Sequence, residues 1–367
     1  MPLTPDTDFA QLTRGLSHTA FQSPHWLETW FRTLSSGAII DAFWIEIRNE
    51  TGERLLGLPL IRHREGRLTI ISGFDLCVSD YNAPLYGEKG AGGYLAKALF
   101  SALKESLPQA DLLRLERLPC FVGTHENELS HSLLAVPSRE SGWLVSFPES
   151  WDQYHASLSG SVREKLGKSY RRFMRVPSAR MAIAESAEEA LSWLEKLEAL
   201  QEQRIANKGL DYVLSQPQIA SFYRELAHSG IETGHVAMGA MIVGDDVVAV
   251  NFAVVNGNRA TYLRVTNMYG EWAPFSLGLQ VTAHLMKHLH AKGIRYFDFA
   301  RGDYDYKRRF GAQPLPLVDV TLPLSIKGFG PFLSNQIWRM LGSSPTLRRL
   351  TGRLRPGDLC RPQKTGE

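Results

Sequence analysis

The amino-acid sequence predicts an α/β (α+β) fold of two similar domains, each a mixed, mostly antiparallel central sheet flanked by helices. Three observations predict it. The 367 residues are 44% hydrophobic and 22% charged, ordinary globular composition that at roughly 150 residues per domain gives two domains rather than a disordered, collagen-like or coiled-coil chain. In the second half, strand-like runs at His235 to Val243, Val247 to Val255 and Arg259 to Val265 are separated by Gly-Asp-Asp and Asn-Gly-Asn, residue types that supply hairpin dihedrals, so they read as an antiparallel meander. Finally, each half repeats one order: a meander, a glycine-containing turn, a helix and a strand ending in arginine. Gly93 precedes Arg117 by 24 residues and Gly278 precedes Arg301 by 23, the spacing of a duplicated unit. The expected boundaries are 1–150, 151–325 and a carboxy-terminal arm, 326–367.

The elements follow in chain order. In FQSPHWLETWF, Ser23 and Pro24 are a cap and first-turn residue for a helix presenting Trp26, Trp30 and Phe31. Residues 41–48, 54–62 and 67–73 are short, rich in branched or aromatic residues, and broken by Asn49, Gly52 and Gly66, which marks three strands. Ser79 to Gly87 is a polar loop, GAGGYLAKALFSALKE a helix entered through glycines, and DLLRLERL from Asp111 a strand. The second half begins with a basic amphipathic helix at 161–175, a strand at 179–184 and helices at 187–208 and 218–228. After the meander and a loop at 269–274, Leu277, Val281, Leu285 and Leu289 recur every four residues, the signature of a helix with one buried face, and 296–300 is a strand.

Charge is uneven. The formal net charge is +3, yet residues 161–175 carry six basic side chains against one acidic, and 326–367 carry eight against two. Such clusters fit phosphate or an anionic membrane; the acidic remainder and the lack of a reader motif argue against general nucleic-acid binding. In the arm, Phe329, Phe332, Leu333, Ile337, Trp338 and Leu341, then Leu347, Leu350 and Leu354 among arginines, read as short amphipathic helices split by Pro345, suited to an anionic surface. No apolar run approaches the roughly 18 residues of a membrane span. The start lacks the basic and apolar regions of a signal peptide, so the expected location is the cytoplasm, with peripheral contact at the inner face of the membrane. Three scattered cysteines, Cys77, Cys120 and Cys360, suggest neither a disulfide framework nor a zinc site. His284 and His288 have the helical i, i+4 spacing of metal ligands but no H-E-x-x-H glutamate, so no metal is expected. Residues 87–94 lack the lysine and hydroxyl of a phosphate loop, and no G-x-S-x-G elbow occurs, which removes NTPase and obvious hydrolase readings.

The stretch from Val247 to Gly311, VVAVNFAVV, YLRVTNMY, then WAPFSLGLQVTAHLMKHLHAKGIRYFDFARGDYDYKRRFG, resembles the CelD and FemAB-like branch of the GNAT acyltransferase superfamily. FQSPHWLETWF, the Gly57-Leu58-Pro59-Leu60 strand and Ser79-Asp80-Tyr81-Asn82 are similar to that branch's amino-terminal half, so the likeness covers about residues 20–325. Where relatives often show Ser-Pro-Gly, this chain has Ser276-Leu277-Gly278. The resemblance implies tandem GNAT domains, the second keeping the acyl-donor site and a cleft between them taking the acceptor. It implies that Val250, Asn251 and Phe252, on a splayed strand, meet the pantetheine arm, and that the amides of Ser276, Leu277, Gly278 and Leu279 hold pyrophosphate, as a helix amino terminus does. Lys307 then contacts a phosphoryl or carbonyl oxygen. Asp80, Tyr81 and Asn82 wall the acceptor site, with Asp298, Arg301 and Arg308 on the substrate side. Tyr304 and Tyr306 are candidate proton donors, and Asp303, four residues before Lys307, is expected to pair with it across one helical turn. The implied reaction moves an acyl group from acyl-CoA, or acyl carrier protein, to an amine of a sugar or lipid precursor of the envelope or exopolysaccharide, with no permanently bound cofactor. Aminoacyl transfer from charged tRNA, acylation of a sphingoid-type lipid amine and a non-catalytic binding module stay open beside it.

Overall fold

The structure is a computed structural model and describes residues 1–35, 40–92, 94–206 and 216–333. Most of the arm, including Ile337 onward, lies outside the described residues, as does Gly93.

Contacts divide the chain into two units: Met1–Gln22, Leu34–Ser138 and Leu317–Glu367 form one, Ser23–Thr33 and Arg139–Pro316 the other. The edges thus differ from the expected 150 and 325, because two strands too short to announce themselves in sequence are traded. Gly142–Ser146 joins the second sheet beside Tyr296–Arg301, and Leu317–Pro323 joins the first beside Leu112–Pro119. The helix Pro24–Leu34 likewise serves the second unit, with Trp26 edge-on to Phe222 at 4.9 Å.

Each unit has the same plan. In the second, Val236–Val243, Asp246–Asn256 and Arg259–Asn267 run antiparallel, the helix Leu277–Ala291 crosses over, and Tyr296–Arg301 returns parallel to Arg259–Asn267. In the first, Asp41–Arg48, Arg54–Glu65 and Leu68–Gly73 run antiparallel, Ala96–Ser106 crosses over, and Leu112–Pro119 returns parallel to Leu68–Gly73. Both parallel pairings are three residues long: Ile70 to Ser72 against Leu112 to Arg114, and Arg259 to Thr261 against Tyr296 to Asp298.

Apolar periodicity places the cores. Leu277, Val281, Leu285 and Leu289 all bury on the second sheet, where Gly239 allows the close approach: a Cβ there would lie 3.3 Å from that of Leu285. Leu56, Leu60, Ile71, Leu103 and Leu113 form the corresponding core of the first unit. The basic helix is Gly160–Phe173, capped by the Ser159 side chain and buried only at Leu166, Ser169 and Phe173. Cys77 takes part in a disulfide, where the sequence suggested no disulfide framework. Residues 326–333 are helical, and the segment before them is tied down by Leu324 N and Ser325 Oγ, both donating to Asp111. Among the described residues no helix is long and apolar enough to cross a membrane.

Candidate active site

A parallel neighbour that diverges after three residues leaves a strand edge open. Among the described residues, the strand Arg259–Asn267 pairs with no strand past Thr261 on the side of Tyr296–Arg301. On its other side Phe252 faces Arg264 and Ala253 faces Tyr262, so Leu263 is an extra residue, a β-bulge at the point of divergence. Met268 N donates to Val248 O, so by alternation the backbone groups of Val265 and Asn267 face the open edge. In keeping with this, Val265 O accepts from Gln201 Nε2 at 3.0 Å. Gln201, from the helix Ala187–Ala206, in turn accepts from Arg264 at 2.9 and 3.1 Å.

The strand expected to splay was Val247 to Val255, and the structure corrects this. Asp246–Asn256 is hydrogen-bonded along both edges, and Val250, Asn251 and Phe252 are fully buried. Asn251 serves as a tether instead, since its Nδ2 donates to Thr282 Oγ1 at 3.0 Å, and Thr282 donates to Gly278 O at 2.8 Å. This chain links the sheet centre to the turn.

That turn is a 3-10 segment, Gly270–Phe275, then Ser276 in the left-handed region at φ +50°, then the helix from Leu277. Leu279 and Gln280 amides bond to Ser276 O; those of Leu277 and Gly278, in the first turn, are the donors a helix leaves without intrahelical acceptors. Gly278 sits against the end of the open strand, where an added Cβ would be 2.9 Å from Asn267 Oδ1.

At the other side of the divergence, Ala300 takes φ +54°, and its amide donates to Asp298 Oδ1 at 2.8 Å. Lys307 is 1% exposed, and its Nζ donates to Ala300 O at 3.1 Å and Arg301 O at 2.7 Å. The helix Asp305–Arg309 starts after Asp303, so the two do not share a turn as expected. Asp303 instead accepts from Trp143 Nε1 at 3.0 Å. Arg308 lies over the same indole at 4.7 Å and pairs with Asp305 at 3.0 Å, both exposed. Tyr306 is half-buried and donates to the Tyr262 hydroxyl at 3.5 Å, while Tyr304 is 59% exposed and stacks on Tyr306. Burial, then the neighbouring phenol, raises Tyr262 well above its ordinary value, and burial raises Tyr306. Both keep their protons at neutral pH.

In the first unit the Ser79-Asp80-Tyr81-Asn82 loop is held by side chains and carbonyls of neighbouring segments. Tyr81 is buried, with its carbonyl accepting from Gln22 Nε2 at 2.9 Å. Asn82 Nδ2 donates to Glu116 O and Asp75 Oδ2. Asp80 is partly exposed beside Arg117, whose guanidinium bonds to Asp75; burial would lower the pKa of Arg117, but Asp75, Glu116 and Asp80 together raise it.

Sequence reasoning missed Tyr262, Leu263, Val265 and Asn267. The available signal was topological: the strand directly before a crossover helix is the one that gains a parallel neighbour and can part from it.

Residues 160–308 match the family model of the acetyltransferase (GNAT) domain. Among solved structures, FemX is similar at 14% identity over 88% of this chain and 97% of its own, with a TM-score of 0.57. The C-terminal domain of a putative lysylphosphatidylglycerol synthetase from Agrobacterium fabrum gives 12%, 87%, 92% and 0.52. L-PGS from Bacillus licheniformis gives 10%, 89%, 94% and 0.51. At these identities the likeness is one of fold. No curated protein matches the chain.

Proposed function

We propose, for a chain whose residues 160–308 match the acetyltransferase (GNAT) domain and whose fold is similar to that of FemX, an N-acyltransferase whose donor is an acyl thioester, acyl-CoA, and whose acceptor is an amine on a sugar or lipid precursor of the cell envelope. The observation that carries the reading is the open edge beside the Leu263 bulge, continuous through Asn267 with the Gly278 turn. Pyrophosphate sits on the first amides of Leu277–Ala291. The pantetheine arm completes the strand edge at Val265 and Asn267, bringing the thioester to the divergence. There the amine nitrogen attacks the carbonyl carbon, the C–N bond forms and the C–S bond breaks. A backbone amide of the open edge holds the oxygen as it gains charge. The amine proton leaves to water, and the thiolate takes a proton from the Tyr306 hydroxyl, which the Tyr262 hydroxyl supports and solvent restores. Lys307 positions the end of Tyr296–Arg301 rather than pairing with Asp303.

A second reading, aminoacyl transfer from charged tRNA, follows from the resemblance of the sequence to the FemAB-like branch. A thermal-shift panel of CoA, acetyl-CoA, longer acyl-CoAs and charged tRNA separates the two. A donor at 100 times its dissociation constant stabilises by about 2.7 kcal/mol. Stabilisation by CoA thioesters, followed by amine-dependent thiol release, is the expected result. Response to charged tRNA alone would move the donor to the second reading, and response to none would leave a binding module.

A further inference from the structure

The second unit contains a cavity of about 740 Å³ on the sheet face covered by Leu277–Ala291, away from the open strand edge. Its floor is apolar: Trp151, Leu166, Met181, Ala283 and Phe310. Its charged lining has one sign. Arg180 and Lys287 contribute it, His284 and His288, both lowered from 6.5 chiefly by burial, add neutral imidazoles, and no carboxylate is among the lining residues. The basic helix Gly160–Phe173 forms one wall, and there Tyr170 and Met174 stay 46% and 42% exposed. Large apolar side chains left in water beside an apolar cavity mark a surface that a ligand covers. The volume is within the range of small-molecule sites, which are mostly apolar with a few convergent polar groups.

We infer that this cavity binds a long-chain carboxylate, its alkyl chain against Trp151, Leu166 and Phe310 and its anionic head between Arg180 and Lys287. The charge pattern selects this occupant. An anion relieves the mutual repulsion of the rim, whereas the chain's own basic arm and a cationic amine are repelled by it. Neither Gly278 nor the strand edge lines the cavity, so occupancy is independent of the acyl donor.

The test is calorimetric titration of the full chain with octanoate, decanoate and dodecanoate below their critical micelle concentrations, with dodecyl maltoside as the neutral probe. One carboxylate per chain is expected, tightening by up to about fourfold per methylene, with the maltoside at least tenfold weaker. Ala283→Trp, which fills the cavity, should weaken dodecanoate at least tenfold while CoA affinity stays unchanged. Arg180→Glu with Lys287→Glu, both on exposed positions, should weaken the carboxylate by a similar factor and leave the maltoside as before; this pair decides the matter if the tryptophan variant does not fold. Equal affinity for carboxylate and maltoside, unchanged binding in the double variant, or competitive displacement by CoA would each overturn the assignment.

Discussion

A lysine that is 1% exposed is costly to bury, and Lys307 offsets that cost by donating to the carbonyls of Ala300 and Arg301. Those carbonyls close a strand end in which Ala300 takes a left-handed φ of +54°, a conformation worth about 1–3 kcal/mol that persists only where the surroundings hold it. Lys307→Met keeps the apolar stem and removes the donor, so at least one buried acceptor is left unpaired. The expected loss is about 1–3 kcal/mol in stability. Turnover should fall at least about tenfold, equal to roughly 1.4 kcal/mol of transition-state stabilisation, with CoA affinity unchanged. Steady-state kinetics with separate measurement of donor binding tests this. A folded variant with wild-type turnover would reduce Lys307 to a core residue and shift attention to Tyr306.

One element, the strand Arg259–Asn267, carries the open edge on which the proposed donor site rests, and its fate was half legible. Its hairpins were plain in Gly-Asp-Asp and Asn-Gly-Asn, and the helix after it in the four-residue leucine period. What local sequence does not encode is which edge of a strand stays unpaired. That depends on a three-residue parallel pairing with a segment some 37 positions away, at Tyr296. Hence the open edge was expected one strand too early, on the strand of Asn251, which bonds to Thr282 and through it reaches Gly278. Gly278 lies in the first turn of the helix Leu277–Ala291, and its contact is legible only in three dimensions. A side chain at 278 meets Asn267 Oδ1, so Gly278→Leu should displace the end of the open strand and crowd the pyrophosphate amides together. The dissociation constant for CoA should rise at least tenfold, more than proportionate to any fall in melting temperature. Unchanged CoA affinity in a destabilised protein would make Gly278 a packing glycine and place the phosphates elsewhere.

Across the whole molecule the repeat is topological rather than sequential: each unit extends its sheet with a strand, Gly142–Ser146 or Leu317–Pro323, that enters from beyond the expected boundary. Segments of five to seven residues carry too little period to be read alone, so the plan was visible and the exchange was not. A second molecule-wide property is how histidines are buried. His18, His25, His63, His284 and His288 are all lowered from 6.5, with burial the largest cause in each. In the unfolded chain these groups take protons near 6.5, whereas in the folded chain they resist until lower pH. The unfolded state therefore binds more protons as pH falls through 6.5, and stability present above that value is lost below it. Glu116, raised from 4.5 by burial, has the opposite sign: its contribution is full below 4.5 and is lost as pH rises toward its folded value, so it partly offsets the histidines only at the acid end. The melting temperature should be flat from about pH 8 to 7 and then fall toward pH 5, by roughly 2–4 °C for each kcal/mol lost in domains of this size. Replacing His18 with Gln should flatten part of that fall, since the neutral amide cannot take the proton. A melting temperature constant from pH 8 to 5 would mean that the histidines titrate alike in both states, and acid sensitivity would then have to come from the carboxylates alone.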